Sequence, residues 1–118
     1  MAIEPINFVV FLMGPTASGK TELAIEISKH INSKLISVDS ALIYRGMDIG
    51  TAKPSKEILT AYPHELVDIC EPEDSFSVTE FISLAKKHIK SALAEGKLPI
   101  LVGGTSFYFN ALEHGLSE

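Results

Sequence analysis

The sequence is short of several residue types, and each shortage argues against a class of function. Its one cysteine, Cys70, cannot form an internal disulfide, and its four histidines show no zinc-ligand spacing with it or with one another. We therefore expect Cys70 to be a core or loop thiol. No apolar run reaches the about 20 residues that cross a bilayer, and residues 1–6 lack the sections of a secretory signal. We expect a cytoplasmic protein that does not contact membranes.

Positive charge is also scarce. The 118 residues include 10 Lys and Arg against 15 Asp and Glu, which gives a net charge of −5, and Arg45 is the only arginine. Such a chain does not grip a nucleic-acid backbone by bulk electrostatics, so a polynucleotide partner would need basic surface from elsewhere. The composition, 46% hydrophobic and 21% charged, is ordinary for one compact domain, which we assign to residues 1–118.

Strands and helices alternate along the hydrophobic pattern. Continuous apolar runs predict buried strands at 8–13, 35–38, 66–69 and 98–102. Apolar residues at three- and four-residue steps predict helices from Lys20 to about His30, from a Ser77-x-x-Glu80 capping box to about Leu93, and from Thr105 to about Leu112. The alternation predicts an α/β fold with an open parallel sheet, of the P-loop NTPase-like kind, and helices on both faces.

A phosphate-binding P-loop lies between the first strand and the first helix. Its residues are Gly14, Pro15, Thr16, Ala17, Ser18, Gly19, Lys20 and Thr21. The two glycines let the backbone turn tightly and direct its N–H groups at phosphate oxygens. Lys20 would bring a mobile positive charge to the terminal phosphate, and the Thr21 hydroxyl could ligate a magnesium ion. The motif predicts nucleotide or diphosphate binding, but it does not specify the reaction.

Two other strand ends carry polar residues that could face the phosphate site. Asp39 follows the second strand, at the edge where parallel sheets bind ligands. It could be a general base, which we favour, a magnesium ligand, or a turn cap with Ser40. Asp68 has a weaker claim, and we expect a structural role for it. At Gly103-Gly104-Thr105, small residues would let a ligand approach, although a plain strand-to-helix turn capped by Thr105 is an alternative.

Three segments together resemble the tRNA dimethylallyltransferase (tRNA isopentenyltransferase) family. They are the P-loop, the stretch 39–54, and Gly103-Gly104-Thr105 with Tyr108. The middle stretch is the most diagnostic, because many unrelated enzymes share the P-loop. The likeness runs from about Phe8 to Gly115. Ser106 departs from the pattern, since the family often has glycine there, and this leaves the shape of that turn in doubt.

The resemblance implies transfer of a dimethylallyl group from dimethylallyl diphosphate to N6 of the adenosine beside the anticodon in tRNA, with release of diphosphate. In that scheme the P-loop, with Lys20 and magnesium on Thr21, holds the diphosphate, and Asp39 accepts the proton of the amine. Magnesium is the implied cofactor, and we expect a monomer. Thr105 is implied to take part in catalysis by hydrogen-bonding near the target amine. The residues implied to contact the anticodon stem-loop are Asp39, Ser40, Ala41, Leu42 and Thr105.

Family members are appreciably longer than 118 residues, so we expect the N-terminal part of a longer enzyme. Three alternatives stay open. An adenylate isopentenyltransferase would use free AMP, ADP or ATP as acceptor. A P-loop small-molecule kinase usually gathers several arginines, which this chain lacks. A non-catalytic nucleotide-binding module is disfavoured by the intact Lys20, Thr21 and Asp39.

Overall fold

The structure, a computed structural model, describes residues 8–14, 19–46 and 53–116. The strands there are β1 (Val10–Met13), β2 (Ser33–Ser37), β3 (His64–Glu65) and β4 (Leu98–Gly103). The helices there are α1 (Lys20–His30), α2 (Lys56–Ala61), α3 (Val78–Ala94) and α4 (Ser106–Leu116). The described strands form one parallel sheet in the order β1-β4-β2-β3, which confirms the predicted α/β class.

Both faces of the sheet are covered by helices. Successive residues of a strand point to opposite faces, and in β2 the side chains of Leu35 and Ile36 enter two different apolar clusters. The cluster around Leu35 includes Ala24 of α1, whereas the cluster around Ile36 includes Phe81 of α3 and Leu112 of α4. A strand buried on both sides has no room for alternating polar residues, which explains the continuous apolar runs in the sequence.

Helix α3 begins and ends where its local signals predict. The Ser77 Oγ accepts a hydrogen bond from Glu80 N–H at 3.1 Å, and Ser77 N–H donates to Glu80 Oε1 at 3.3 Å, so the capping box is complete. Gly96 follows the helix with a φ of 73°, in the left-handed region that glycine adopts without steric cost. Among the described helices, none is long and apolar enough to span a membrane.

The predicted strand at 66–69 is wrong. Leu66 and Asp68 have φ values of 68° and 57°, in the left-handed region, far from the extended backbone of a regular β-strand. The backbone there turns and bonds to another turn instead: Asp68 N–H donates to the Leu42 carbonyl at 3.0 Å, and Ile69 N–H donates to the Ile43 carbonyl at 2.8 Å. The strand that pairs with β2 on the side away from β4 is β3, which is two residues long and lies directly before this turn.

Other boundaries differ from the predictions by smaller amounts. Strand β2 begins two residues before the predicted Leu35, and α4 continues beyond the predicted Leu112. Helix α2 was not predicted, because none of its residues is buried and it therefore has no apolar periodicity. Its start is marked by Ser55, whose side chain accepts a hydrogen bond from Ile58 N–H at 3.2 Å.

Candidate active site

The carboxyl ends of β1, β2 and β4 meet at one edge of the sheet. The register aligns Met13 with Gly103 and Ser37 with Val102, so the residues that follow each strand emerge side by side. A cavity of about 240 Å³ lies at this edge. Its polar lining includes Lys20, Thr21, Ser37, Asp39, Lys53 and His64. Its apolar lining consists of Leu42, Pro54, Ile58 and Val102.

The described ends of the P-loop lie after β1 and in the first turn of α1, and the end in α1 faces the cavity. Gly19 has a φ of 76°, and its carbonyl accepts from Leu23 N–H at 3.0 Å, so the loop leads directly into α1. Lys20 and Thr21, in the first turn of α1, both line the cavity. On the other side of the loop, Gly14 N–H donates to the Gly103 carbonyl at 3.3 Å. The predicted phosphate-binding residues Pro15, Thr16, Ala17 and Ser18 lie outside the described residues.

Asp39 lines the cavity from the end of β2 and also organises the turn that follows it. Its Oδ1 accepts from Ala41 N–H at 2.9 Å and from Leu42 N–H at 3.4 Å. This Asx turn fixes the carboxylate while leaving Oδ2 outside the turn. Asp39 can therefore stabilise the turn through Oδ1 and still take a chemical role through Oδ2. The general-base and magnesium-ligand roles stay predictions.

A close contact between β2 and β4 holds the Asp39 turn in place. A β-carbon on Gly103 would lie 2.0 Å from the Val38 carbonyl oxygen, so only glycine lets the two backbones approach this closely. Thr105 N–H donates to the Val38 carbonyl at 3.3 Å, and Thr105 Oγ1 accepts from Ser40 N–H at 3.0 Å. The Thr105 hydroxyl thus ties β4 to the turn after β2. Thr105 also stands at the predicted start of α4, where its carbonyl accepts from Tyr108 N–H at 3.0 Å.

Tyr108, which belongs to the family-like pattern, is buried in α4. Its ring stacks on Phe81 with a centroid distance of 4.4 Å. Burial raises the pKa of the Tyr108 hydroxyl above its usual value, and nearby Tyr44 and Asp39 add to the rise. Tyr108 therefore packs α4 against α3 behind the cavity.

Four polar residues of the cavity were not picked out from the sequence: Glu22, Ser37, Lys53 and His64. Lys53 has a side chain only 6% exposed, and its Nζ lies 2.5 Å from Asp68 Oδ1 and 3.2 Å from the Tyr44 carbonyl oxygen. This ion pair gives Asp68 the structural role that we expected. Ser37 and His64 come from neighbouring strands, and no local motif marks either of them. Only the strand order, which the sequence does not state, brings them to the P-loop.

The cavity residues fit a magnesium ion held mainly by phosphate oxygens. Among the described residues, no group of three or more His, Cys, Asp and Glu could hold a metal by itself. Magnesium, however, commonly binds through substrate phosphates and one or two protein oxygens while it keeps several waters. The Thr21 hydroxyl and the Asp39 carboxylate, which line the same cavity, are oxygen ligands of the required kind.

The family follows from comparison with known proteins. The model of the IPP transferase family matches residues 42–118. The chain belongs to the IPP transferase family. Over all 118 residues it is 64% identical to a tRNA dimethylallyltransferase of Vesicomyosocius okutanii and 63% identical to one of Ruthia magnifica. It spans 39% of the length of each relative.

Solved structures of IPP transferases have the same fold. The chain matches a tRNA isopentenylpyrophosphate transferase from Bacillus halodurans with a TM-score of 0.85 and 48% identity, covering 91% of this chain and 35% of the other. The counterpart from Staphylococcus epidermidis matches with a TM-score of 0.81 and 49% identity, covering 88% of this chain and 34% of the other. A eukaryotic dimethylallyltransferase acting on tRNA matches with a TM-score of 0.80 and 28% identity, covering 86% of this chain and 25% of the other. The predicted family and fold class are confirmed.

Proposed function

We propose that this chain provides the diphosphate-binding and proton-accepting part of an enzyme that transfers a dimethylallyl group from dimethylallyl diphosphate to N6 of the adenosine beside the anticodon in tRNA. The observation that carries the proposal is the joint position of Lys20, Thr21 and Asp39 on one cavity at the sheet edge. Family membership supports it, as do relatives named tRNA dimethylallyltransferase.

The first role of the chain is to hold the leaving group. During transfer the bond between the donor carbon and the diphosphate oxygen breaks, and its electron pair stays on the diphosphate. Lys20 and the positive end of α1 would stabilise that charge, and they are preorganised because Lys20 is in the first helical turn. A magnesium ion bound by Thr21 and the diphosphate would supply further neutralisation.

The second role is to accept a proton from the attacking amine. The N6 lone pair is delocalised into the adenine ring, so attack on carbon benefits from a base that removes the proton as the new bond forms. Asp39 is suited to this step because two backbone amides hold Oδ1 and thereby orient Oδ2. The target adenine would leave the anticodon stack, as nucleobases do in other base-modifying enzymes. It would then lie along residues 39–42, with Thr105 beside them.

Labelled dimethylallyl diphosphate would test the proposal. The full-length protein is incubated with the labelled donor and magnesium, separately with tRNA, AMP and ATP. We expect label in tRNA alone, at an adenosine next to the anticodon, with release of diphosphate. Label in AMP or ATP would identify an adenylate isopentenyltransferase instead. No transfer to any of the three acceptors would leave the kinase or non-catalytic alternative and overturn the proposal.

A further inference from the structure

Two buried polar atoms on the cavity wall have no hydrogen-bond partner within the part of the chain that the structure describes. They are Ser37 Oγ and His64 Nε2. Ser37 is only 2% exposed, and both residues line the cavity that also contains Lys20 and Thr21. A buried donor or acceptor without a partner is destabilising, so such atoms are rare away from functional sites. The two atoms therefore point to a bound group.

Ser37 and His64 lie on the face of the sheet that α1 covers. In the parallel register Leu35 is opposite His64, so these two side chains share a face, and Ser37, two residues after Leu35, shares it as well. Leu35 packs in the same cluster as Ala24 of α1. The first turn of α1, with Thr21, is therefore on the same side of the sheet as the two unpaired atoms.

The chemistry of the two atoms indicates what they would bind. His64 Nδ1 lies 2.7 Å from the Tyr62 carbonyl oxygen, and a carbonyl can only accept, so Nδ1 carries the hydrogen. In the neutral ring Nε2 is then an acceptor. Burial lowers the pKa of His64, which favours this neutral form. The Ser37 hydroxyl can also accept, so the pair is suited to a group that donates hydrogen bonds.

We propose that Ser37 and His64 accept hydrogen bonds from water molecules in the hydration shell of a divalent cation bound beside Thr21 together with diphosphate. The inference rests on the proposed function for the presence of diphosphate. Phosphate oxygens and the apolar prenyl group cannot donate to these atoms. Magnesium retains several waters when it binds phosphates, and the positive charge makes those waters strong donors.

Manganese binding to the full-length protein would test this inference. Free Mn²⁺ is measured by electron paramagnetic resonance during titration at saturating inorganic pyrophosphate. We expect Ser37→Ala and His64→Leu each to weaken Mn²⁺ affinity by about 10-fold, the low end of the effect of removing an outer-shell partner. His64→Gln, which keeps an acceptor, should restore most of the affinity. The matched control is Ser33→Ala on the same strand, whose hydroxyl already donates to the Ile31 carbonyl at 2.6 Å.

Two further measurements separate hydrogen bonding to cation-bound water from direct phosphate binding and from support of the fold. They are pyrophosphate binding without a cation and unfolding by urea. Both variants should bind pyrophosphate alone as the wild type does. Ser37→Ala should not be less stable than the wild type, because apolar replacement of an unpaired buried hydroxyl removes a desolvation cost. His64→Leu also loses the Nδ1 hydrogen bond to the Tyr62 carbonyl, so its stability does not test the role of Nε2. Reduced stability of Ser37→Ala would instead show that its hydroxyl supports the fold.

Two results would overturn the inference while leaving the proposed function intact. One is unchanged Mn²⁺ affinity in both variants. The other is weaker pyrophosphate binding without a cation, accompanied by proton uptake in the wild type, because a protonated His64 would then contact phosphate directly. If the wild type binds no pyrophosphate with Mn²⁺, both the inference and the proposed diphosphate site are wrong.

Discussion

Replacement of Gly103 by alanine tests how the strand ends of the cavity are held together. The new β-carbon would lie 2.0 Å from the Val38 carbonyl oxygen and 2.5 Å from the Val38 carbonyl carbon, whereas ordinary contacts begin at 3.4 Å. The two backbones must therefore separate by more than an ångström. Both are backbone segments of a buried sheet, so no flexible side chain can absorb the shift.

The expected loss of stability is about 3–5 kcal/mol, the sum of overpacking and two disrupted backbone hydrogen bonds. Overpacking in a well-packed interior costs about 1–3 kcal/mol by itself. Separation would also stretch the hydrogen bond from Val38 N–H to the Val102 carbonyl, now 2.8 Å, and the bond from Thr105 N–H to the Val38 carbonyl, now 3.3 Å. Each of these bonds contributes about 1 kcal/mol. Asp39 follows Val38 directly, so its carboxylate would move as well.

Urea unfolding followed by far-ultraviolet circular dichroism would measure the effect. The control is Gly115→Ala in α4, where the nearest atoms to a new β-carbon, Ile82 Cγ2 and Lys86 Cε at 3.3 Å, belong to flexible side chains. Helix propensity favours that control substitution by about 0.5–1 kcal/mol. If Gly103→Ala were as stable as Gly115→Ala, the tight β2–β4 contact would not exist, and the reasoning about the Asp39 turn would be wrong.

Four further predictions concern the site. Lys20→Ala should lower transfer by about 10²- to 10³-fold, whereas Lys29→Ala on the exposed part of α1 should not; equal rates would contradict the role of Lys20. Asp39→Asn should lower turnover by about 10²- to 10⁴-fold with magnesium-dependent pyrophosphate binding intact by calorimetry; a parallel loss of binding would indicate a metal ligand. Thr105→Val removes the oxygen that holds the turn after β2 and should cost about 1 kcal/mol in urea unfolding; no loss would mean that this bond contributes nothing. Burial lowers the pKa of His64 from 6.5, so the contribution of neutral His64 to stability is present above pH 6.5 and is lost as the pH falls through its folded pKa. As the pH is lowered, the urea midpoint should therefore fall less steeply in His64→Gln than in the wild type, and parallel curves of midpoint against pH would contradict this.

The sequence predicted the features that depend on local signals. Helix α3 has a long apolar stripe and its capping box, and α1 directly follows the P-loop, so the positions of both helices were confirmed. The segment 66–69 was assigned to a strand because apolar residues dominate it. Leu66 is indeed buried, but it enters the core from a turn that bonds to Leu42 and Ile43, partners too distant in sequence for a local pattern to reveal.

The residues of the candidate site also differ in whether local sequence signals could predict them. Asp39 directly follows an apolar run, and Thr105 follows one after two glycines, so their position at strand ends could be predicted. The contribution of Ser37, Lys53 and His64 depends on β2 lying between β4 and β3, and on an ion pair that reaches from Lys53 to Asp68. Strand order results from packing of the whole sheet, and hydrophobic periodicity does not contain that information.

The position of β4 between β1 and β2 has a consequence for synthesis on the ribosome. Strands β1 and β2 do not pair with each other, so neither has its β4 neighbour until residues 98–103 have been made. About 60 residues separate the end of β2 from β4, and at roughly 5–20 residues per second their translation takes about 3–12 seconds. During that interval the apolar edges of both strands lack the partner that later covers them. The phosphate loop and Asp39 therefore come together only after β4 has inserted between the two strands.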